Sequence, residues 1–195
     1  ASEVADYLTR FGWGEPMPLR FDADPGDTIT VNITGLDGNG AQLARWALEA
    51  WGIATGIDFQ EVFLGGQITF DDSRSGAYGG PAAWRTDTGL NARSEINIST
   101  NWVATYGTGV DSYSFQTYLH EIGHALGLGH AGPYNGSAQY GKDNAFTNDS
   151  TQISLMSYFS LNENTSLPGR DLSILTPMVA DLVAVHQLYG VPSAY

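Results

Sequence analysis

Cysteine is absent from this chain, and lysine is nearly so, with Lys142 the only one. Without cysteine there are no disulfides to staple the fold and no thiolates to hold a metal. The redox compartment cannot be read from thiols either. Eight basic residues face 21 acidic ones, for a formal net charge of −13. A surface so poor in cations repels nucleic acid and anionic membranes, so neither is expected as a partner. Long hydrophobic runs are missing too. Nothing approaches the roughly 20 apolar residues of a membrane-spanning helix. No signal-peptide pattern opens the chain, so Ala1 is expected to follow a processing point. What remains is 195 residues of ordinary apolar content, which suits one domain with a substantial core.

Histidine is also scarce, and its placement carries the most information. Of four histidines, three fall in HEIGHALGLGH, at His120, His124 and His130. Residues four apart share one face of a helix, so His120 and His124 can grip one ion from adjacent turns. Gly127 can take the left-handed conformation that ends a helix, after which the chain turns back and His130 reaches the same ion. Three protein ligands leave one tetrahedral position for water, which is the pattern of a catalytic zinc site. A purely structural zinc normally has four protein ligands, often cysteines, and there are none here. Glu121 stands beside the ion without having to ligate it, where a general base belongs. Ligating imidazoles must be neutral, so metal affinity is expected to fall in acid.

Apolar spacing places this motif on a helix. Phe115, Leu119, Ile122 and Leu126 form its buried stripe, with Asp111 or Ser112 as N-cap. Upstream, Val4, Tyr7, Leu8 and Phe11 fit a short amphipathic helix capped by Ser2. Leu19 to Phe21 and the alternating Ile29, Val31 and Ile33 read as strands. A helix follows over Ala41 to Thr55, stopped by Gly56. Further strands are expected at Ile57 to Val62, Gln67 to Phe70 and Glu95 to Ile98. A long passage rich in Gly, Asn, Ser and Thr leads to a last helix, with Thr176 as cap, Pro177 at its first position and Gly190 at its end. The predicted class is α+β, a single domain over residues 1–195 in two lobes. A twisted mixed sheet with helices forms the upper lobe, about residues 1–127. A mostly irregular lower lobe, about 128–195, ends in the C-terminal helix. The active-site cleft lies between them near Gly127.

The segment SLMSY, Ser154 to Tyr158, sharpens the picture. Together with the histidine motif it resembles the serralysin-type metzincins, which are bacterial secreted zinc endopeptidases. The resemblance covers most of the chain: the helix around Trp46 and Trp51, IDFQEV from Ile57, GHAGPYNG from Gly129 and DLVAVHQLYG from Asp181. It implies that Met156 forms the turn beneath the zinc and that Tyr158 faces the metal and donates to the developing oxyanion. Asp181 would hold the backbone under that turn. It also implies a secreted, extracellular enzyme, of a family in which the lack of disulfides is typical, cutting extended peptide or protein substrates. Such a chain would act as a monomer and could meet a proteinaceous inhibitor. Two departures stand out. Ala131 occupies the position after the third histidine where the family usually has proline, and Pro133 follows two residues later. The calcium-binding nonapeptide repeats that serralysins carry after the protease domain are not found.

Substrate is expected to add as a strand along a sheet edge. SGAYGGP, Ser75 to Pro81, resembles the family's edge segment, so Ala77, Tyr78 and Gly79 are the candidate contacts; a plain glycine loop is the equal alternative. Asp22, Asp24 and Asp27 alternate in a way compatible with calcium, but too few oxygen ligands are in view and a solvated acidic turn explains them better. Trp13, Trp84 and Trp102 could line the cleft or pack in the core. His186 is expected on the final helix without a catalytic task. Two readings compete with the secreted endopeptidase: a matrixin-like metzincin peptidase, and a zinc-containing binding module without catalysis, against which Glu121 speaks.

Overall fold

The computed structural model describes residues 1–15, 17–170 and 172–193. Helix α1 (Ser2–Arg10) leads through a turn into β1 (Arg20–Phe21) and β2 (Thr28–Gly35). Then come α2 (Gly38–Thr55), β3 (Asp58–Glu61), β4 (Ile68–Asp71), β5 (Ala77–Trp84) and β6 (Leu90–Ile98). Helices α3 (Thr100–Tyr106), α4 (Tyr113–Ala125) and α5 (Val179–Tyr189) complete the chain. Among the described residues, 126–178 contain no helix or strand, only an isolated bridge between Asn135 and Ser137.

The six strands make one mixed sheet. β1 and β4 both pair with β6 on its inner side, β4 pairs with β2, and β2 with β3, all in parallel. β5 alone is antiparallel, pairing with β6 from Ala77 opposite Ile98 to Trp84 opposite Asn91. Among the described residues, no strand lies on the other side of β5, so it is the sheet edge nearest α4. The alternation of Ile29, Val31 and Ile33 places all three in the core.

Capping explains why the helices start and stop where they do. Asp37 opens α2 by accepting the Gly40 N–H at 2.7 Å, and Gly56 closes it at φ 71°. Ser112, not Asp111, caps α4 by accepting the Phe115 N–H at 3.1 Å. Phe115, Leu119, Ile122 and Leu126 are buried as their spacing predicts. The indole N–H of Trp51, itself fully buried on α2, donates to the Leu119 carbonyl at 2.9 Å and pins the two helices together. Tyr189 on α5 donates to the Leu126 carbonyl at 2.8 Å.

Several expectations need correction. α1 is preceded by Ala1, and Ser2 lies inside it with no side-chain cap. Phe11 is 65% exposed rather than part of the buried stripe. The last helix begins at Val179, so Thr176 and Pro177 stand outside it. The reason is Asp181, whose carboxylate accepts the Met178 N–H at 2.8 Å and supplies the cap from within the first turn. β6 starts at Leu90, well before Glu95, because β5 folds back along its whole length. Helix α3 was not anticipated; its seven residues are too few for a periodic signal. In the Asp22–Asp27 turn, Asp27 accepts the Asp24 N–H at 2.9 Å, which satisfies that carboxylate locally.

Candidate metal centre and cleft

Helix α4 delivers His120 and His124 one turn apart. It ends in a Schellman arrangement: the Leu128 N–H donates to the Gly123 carbonyl at 3.0 Å and the Gly127 N–H to the His124 carbonyl at 2.9 Å. Gly127 sits at φ 103°, and a Cβ there would lie 1.9 Å from the Leu19 carbonyl oxygen. Only glycine fits both demands. The reversal brings His130 back, with its Nε2 3.0 Å from that of His124 and 3.4 Å from that of His120.

The opposite ring nitrogens decide what this cluster is for. His120 Nδ1 donates to the Leu155 carbonyl at 2.8 Å and His124 Nδ1 to the Leu128 carbonyl at 2.7 Å. A backbone hydrogen bond at Tyr134 holds His130. Carbonyl acceptors fix the proton on Nδ1 of His120 and His124, so their Nε2 lone pairs face inward. Lone pairs this close repel unless a cation lies between them. Tetrahedral zinc with Zn–N bonds of about 2.0–2.1 Å separates its ligands by about 3.3–3.4 Å, close to the spacing found. Burial also lowers the pKa of all three, His130 to about 3, which keeps them in the neutral ligating form at pH 7. The residues therefore fit a zinc ion.

Glu121 is buried beside them, and burial pushes its carboxyl up to about 8, opposed by a hydrogen bond from the Gly79 backbone. A cation among the imidazoles would act in the same sense as that bond and favour the ionised form. Gly79 lies where β5 crosses α4: a Cβ there would meet Ile96 at 3.0 Å and the Glu121 Cβ and carbonyl oxygen at 3.2 Å. The missing side chain lets the sheet edge run directly over the helix backbone.

Beneath the histidines the chain turns at Met156, whose sulfur abuts Gly123 between the two helical ligands; a Cβ on Gly123 would come within 2.8 Å of it. Asp181 anchors this turn, accepting from the Ser154 hydroxyl at 2.6 Å and the Leu155 N–H at 2.8 Å. Because the Leu155 carbonyl holds His120, Asp181 acts on the ligand at one remove. The Ala131 N–H donates to the Met156 carbonyl at 3.1 Å. Proline, lacking that N–H, could not make this bond, so the departure at position 131 creates a tie between the two loops.

Tyr158 packs its ring 4.5 Å from His130, and its hydroxyl accepts the Gly136 N–H at 3.2 Å. Tyr134 stacks beside it at 4.8 Å and donates to buried Asp149, which also accepts from Ser157 at 2.6 Å. Two cavities, of about 610 and 620 Å3, meet at Ala77, His120, Glu121, Asn135 and Tyr158. Ala77, Tyr78 and Gly79 all border this cleft. Trp13 and Trp102 line one cavity each, whereas Trp84 lines neither. His186 bonds the Ala54 carbonyl at 3.0 Å and ties α5 to α2, away from the cleft. Gly123, Tyr134 and Asp149 were not singled out as site residues beforehand. Only Gly123 left a signal, since a glycine inside a helix costs about 1 kcal/mol and calls for a reason.

Three inward-facing imidazoles with a carboxylate beside them, under the edge of a mixed sheet, define a metallopeptidase-type centre. Residues 26–176 match the model of the reprolysin-like M12B metallo-peptidases, and the chain belongs to that family. It is 33% identical over 178 residues to metallopeptidase AprA of Pseudomonas marginalis, covering 83% of this chain and 37% of that protein. It is 35% identical over 180 residues to serralysin C of Dickeya chrysanthemi, covering 85% and 36%. The resemblance to serralysins read from the motifs is thus found along most of the chain, which spans little over a third of those relatives' length. The fold is similar to that of myroilysin, with a TM-score of 0.54 at 17% identity, covering 97% of this chain and 96% of that one. It is also similar to that of a hatching enzyme zinc-protease from Oryzias latipes, with a TM-score of 0.50 at 18% identity, covering 84% and 90%. Zinc is the metal this membership implies.

Proposed function

We propose that the chain is the catalytic domain of a secreted zinc endopeptidase, one two-lobed unit over residues 1–195 acting outside the cell as a monomer. His120, His124 and His130 would hold the ion. When bound, zinc supplies Lewis acidity and lowers the pKa of water to about 7. Glu121 takes the proton from the attacking water and later passes it to the leaving amine. Its position where the two cavities meet supports this role, because both halves of a substrate would pass it. Tyr158 donates its hydroxyl proton toward the developing oxyanion. Substrate lies extended along the open edge of β5, with Ala77, Tyr78 and Gly79 as backbone partners. Met156 and Gly127 shape the site from below and from the helix end.

One observation carries this reading: three Nε2 atoms converge with the Nδ1 atoms of His120 and His124 tied to carbonyls, and Glu121 lies buried alongside. The test is cleavage of a fluorogenic peptide by zinc-loaded protein. Glu121→Gln should keep stoichiometric zinc and lose about a hundredfold to ten-thousandfold in turnover. Undiminished turnover in that variant would remove Glu121 from the chemistry.

A further inference from the structure

The family match begins at residue 26, yet part of the cleft wall comes from before it. The end of α1 and the segment after it dock on the metal-site loop through backbone contacts and one indole ring. The Gly129 N–H donates to the Leu8 carbonyl at 2.8 Å, and a Cβ on Gly12 would lie 2.3 Å from the Gly129 Cα. Trp13 closes the contact. Its indole N–H donates to the Gly127 carbonyl at 2.9 Å, and its ring stands edge-on to His124 at 5.4 Å. The same ring lies over Gly80, where a Cβ would come within 2.7 Å of it.

These contacts hold the N-terminal segment as one side of the 620 Å3 cavity, facing His130 and Pro133. Tyr7 and Phe11 extend that side, with rings 5.5 Å apart, and Phe146 braces Tyr7 edge-on at 5.6 Å. Phe11 is 65% exposed. Among the described residues, Glu121 is the one charged side chain that lines this cavity, whereas the neighbouring one also carries Glu163. A ring backed on one face and open on the other, in a recess leading to the reacting groups, offers apolar surface to a ligand.

We propose that Tyr7, Phe11 and Trp13 form a subsite for an aromatic or large apolar side chain on one side of the scissile bond, with Phe11 as its specificity-determining residue. The inference rests on the peptidase reading above. The test profiles cleavage sites of the zinc-loaded protein on a peptide library randomised on both sides of the cut. Phe, Tyr, Trp or Leu should be enriched at one position. Paired peptides with Phe or Ala there should differ about tenfold in kcat/KM. In Phe11→Ala that ratio should shrink to about twofold, and Phe11→Tyr should recover most of it. Phe63→Ala, at an 87% exposed ring between β3 and β4, should leave the ratio unchanged. Thermal melts confirm that each variant is folded. Cleavage without any such enrichment, or a ratio that survives Phe11→Ala in folded protein, overturns the subsite while leaving the peptidase intact. If the wild type cuts no peptide at all, both readings fall.

Discussion

Gly127→Ala puts the helix end under direct test. Two costs add. The backbone φ of 103° is one that L-residues rarely adopt, and holding alanine there costs on the order of 1–3 kcal/mol. The new methyl would also sit 1.9 Å from the Leu19 carbonyl oxygen, a backbone atom that cannot rotate aside. Leu19 is buried, so the clash must be relieved by shifting either the approach to β1 or the end of α4, at about 1–3 kcal/mol. The sum, about 2–6 kcal/mol, is a large part of the roughly 5–15 kcal/mol that stabilises a typical domain. Gly65→Ala separates the two costs: its φ is 68° and nothing lies within 4 Å, so only backbone strain of about 1–2 kcal/mol should appear. Urea denaturation of zinc-free protein measures both variants. Zinc competition with a chelating dye then reads the consequence for the site, because the Leu128 carbonyl that orients His124 follows Gly127 directly. If Gly127→Ala unfolds no more easily than Gly65→Ala and binds zinc as tightly as the wild type, the account of how His130 is brought back is wrong.

Tyr158→Phe should lower turnover about a hundredfold with zinc content intact, since it removes one oxyanion donor; steady-state kinetics with metal analysis decide it, and an unchanged rate excludes the hydroxyl. Asp181→Asn replaces a fully buried carboxylate that accepts from Ser154, Leu155 and Met178. Denaturation should show a loss of about 2–4 kcal/mol, with zinc affinity weakened about tenfold or more through Leu155 and His120. Equal stability and equal affinity would mean that the anchor is idle. Acid should act through the histidines. The folded-state pKa of His130 is near 3 against an ordinary 6.5, so from pH 6.5 down to about 3 the unfolded chain binds a proton that the folded chain does not. Stability contributed by keeping that ring neutral is complete above pH 6.5 and is lost as pH falls, by up to about 5 kcal/mol. His120 and His124 shift in the same direction. Glu121 and Asp181, raised to about 8 and about 6, oppose them by favouring the folded state at the lower end of their range. Zinc release followed against pH should therefore have its midpoint well below 6.5; release centred at 6.5 would show the imidazoles to be solvated.

Much of the centre was legible along the chain because its parts are local. The four-residue spacing of His120 and His124, the glycine three residues on and the buried stripe from Phe115 to Leu126 all follow from one helical period. The same holds for α2, whose apolar spacing and terminal Gly56 mark its course. Met156, Tyr158 and Asp181 could be assigned only through the resemblance to serralysins. Nothing in their own neighbourhoods distinguishes a turn under a metal from an ordinary buried loop.

What the amino-acid order determined by itself was the helix, its ligands and its stop, because each depends on residues a few places apart. Tertiary structure decided the rest. It brought Gly12 against Gly129, set Trp13 over Gly80, joined Asp149 to Tyr134, and placed the Asp181 carboxylate under both Leu155 and Met178. All but the short Met178–Asp181 link join residues well apart in sequence, and each contact forms only when folding carries its partner into reach. No periodicity in the chain records such a meeting, since it is the packing of sheet, helix and loop that brings the groups together.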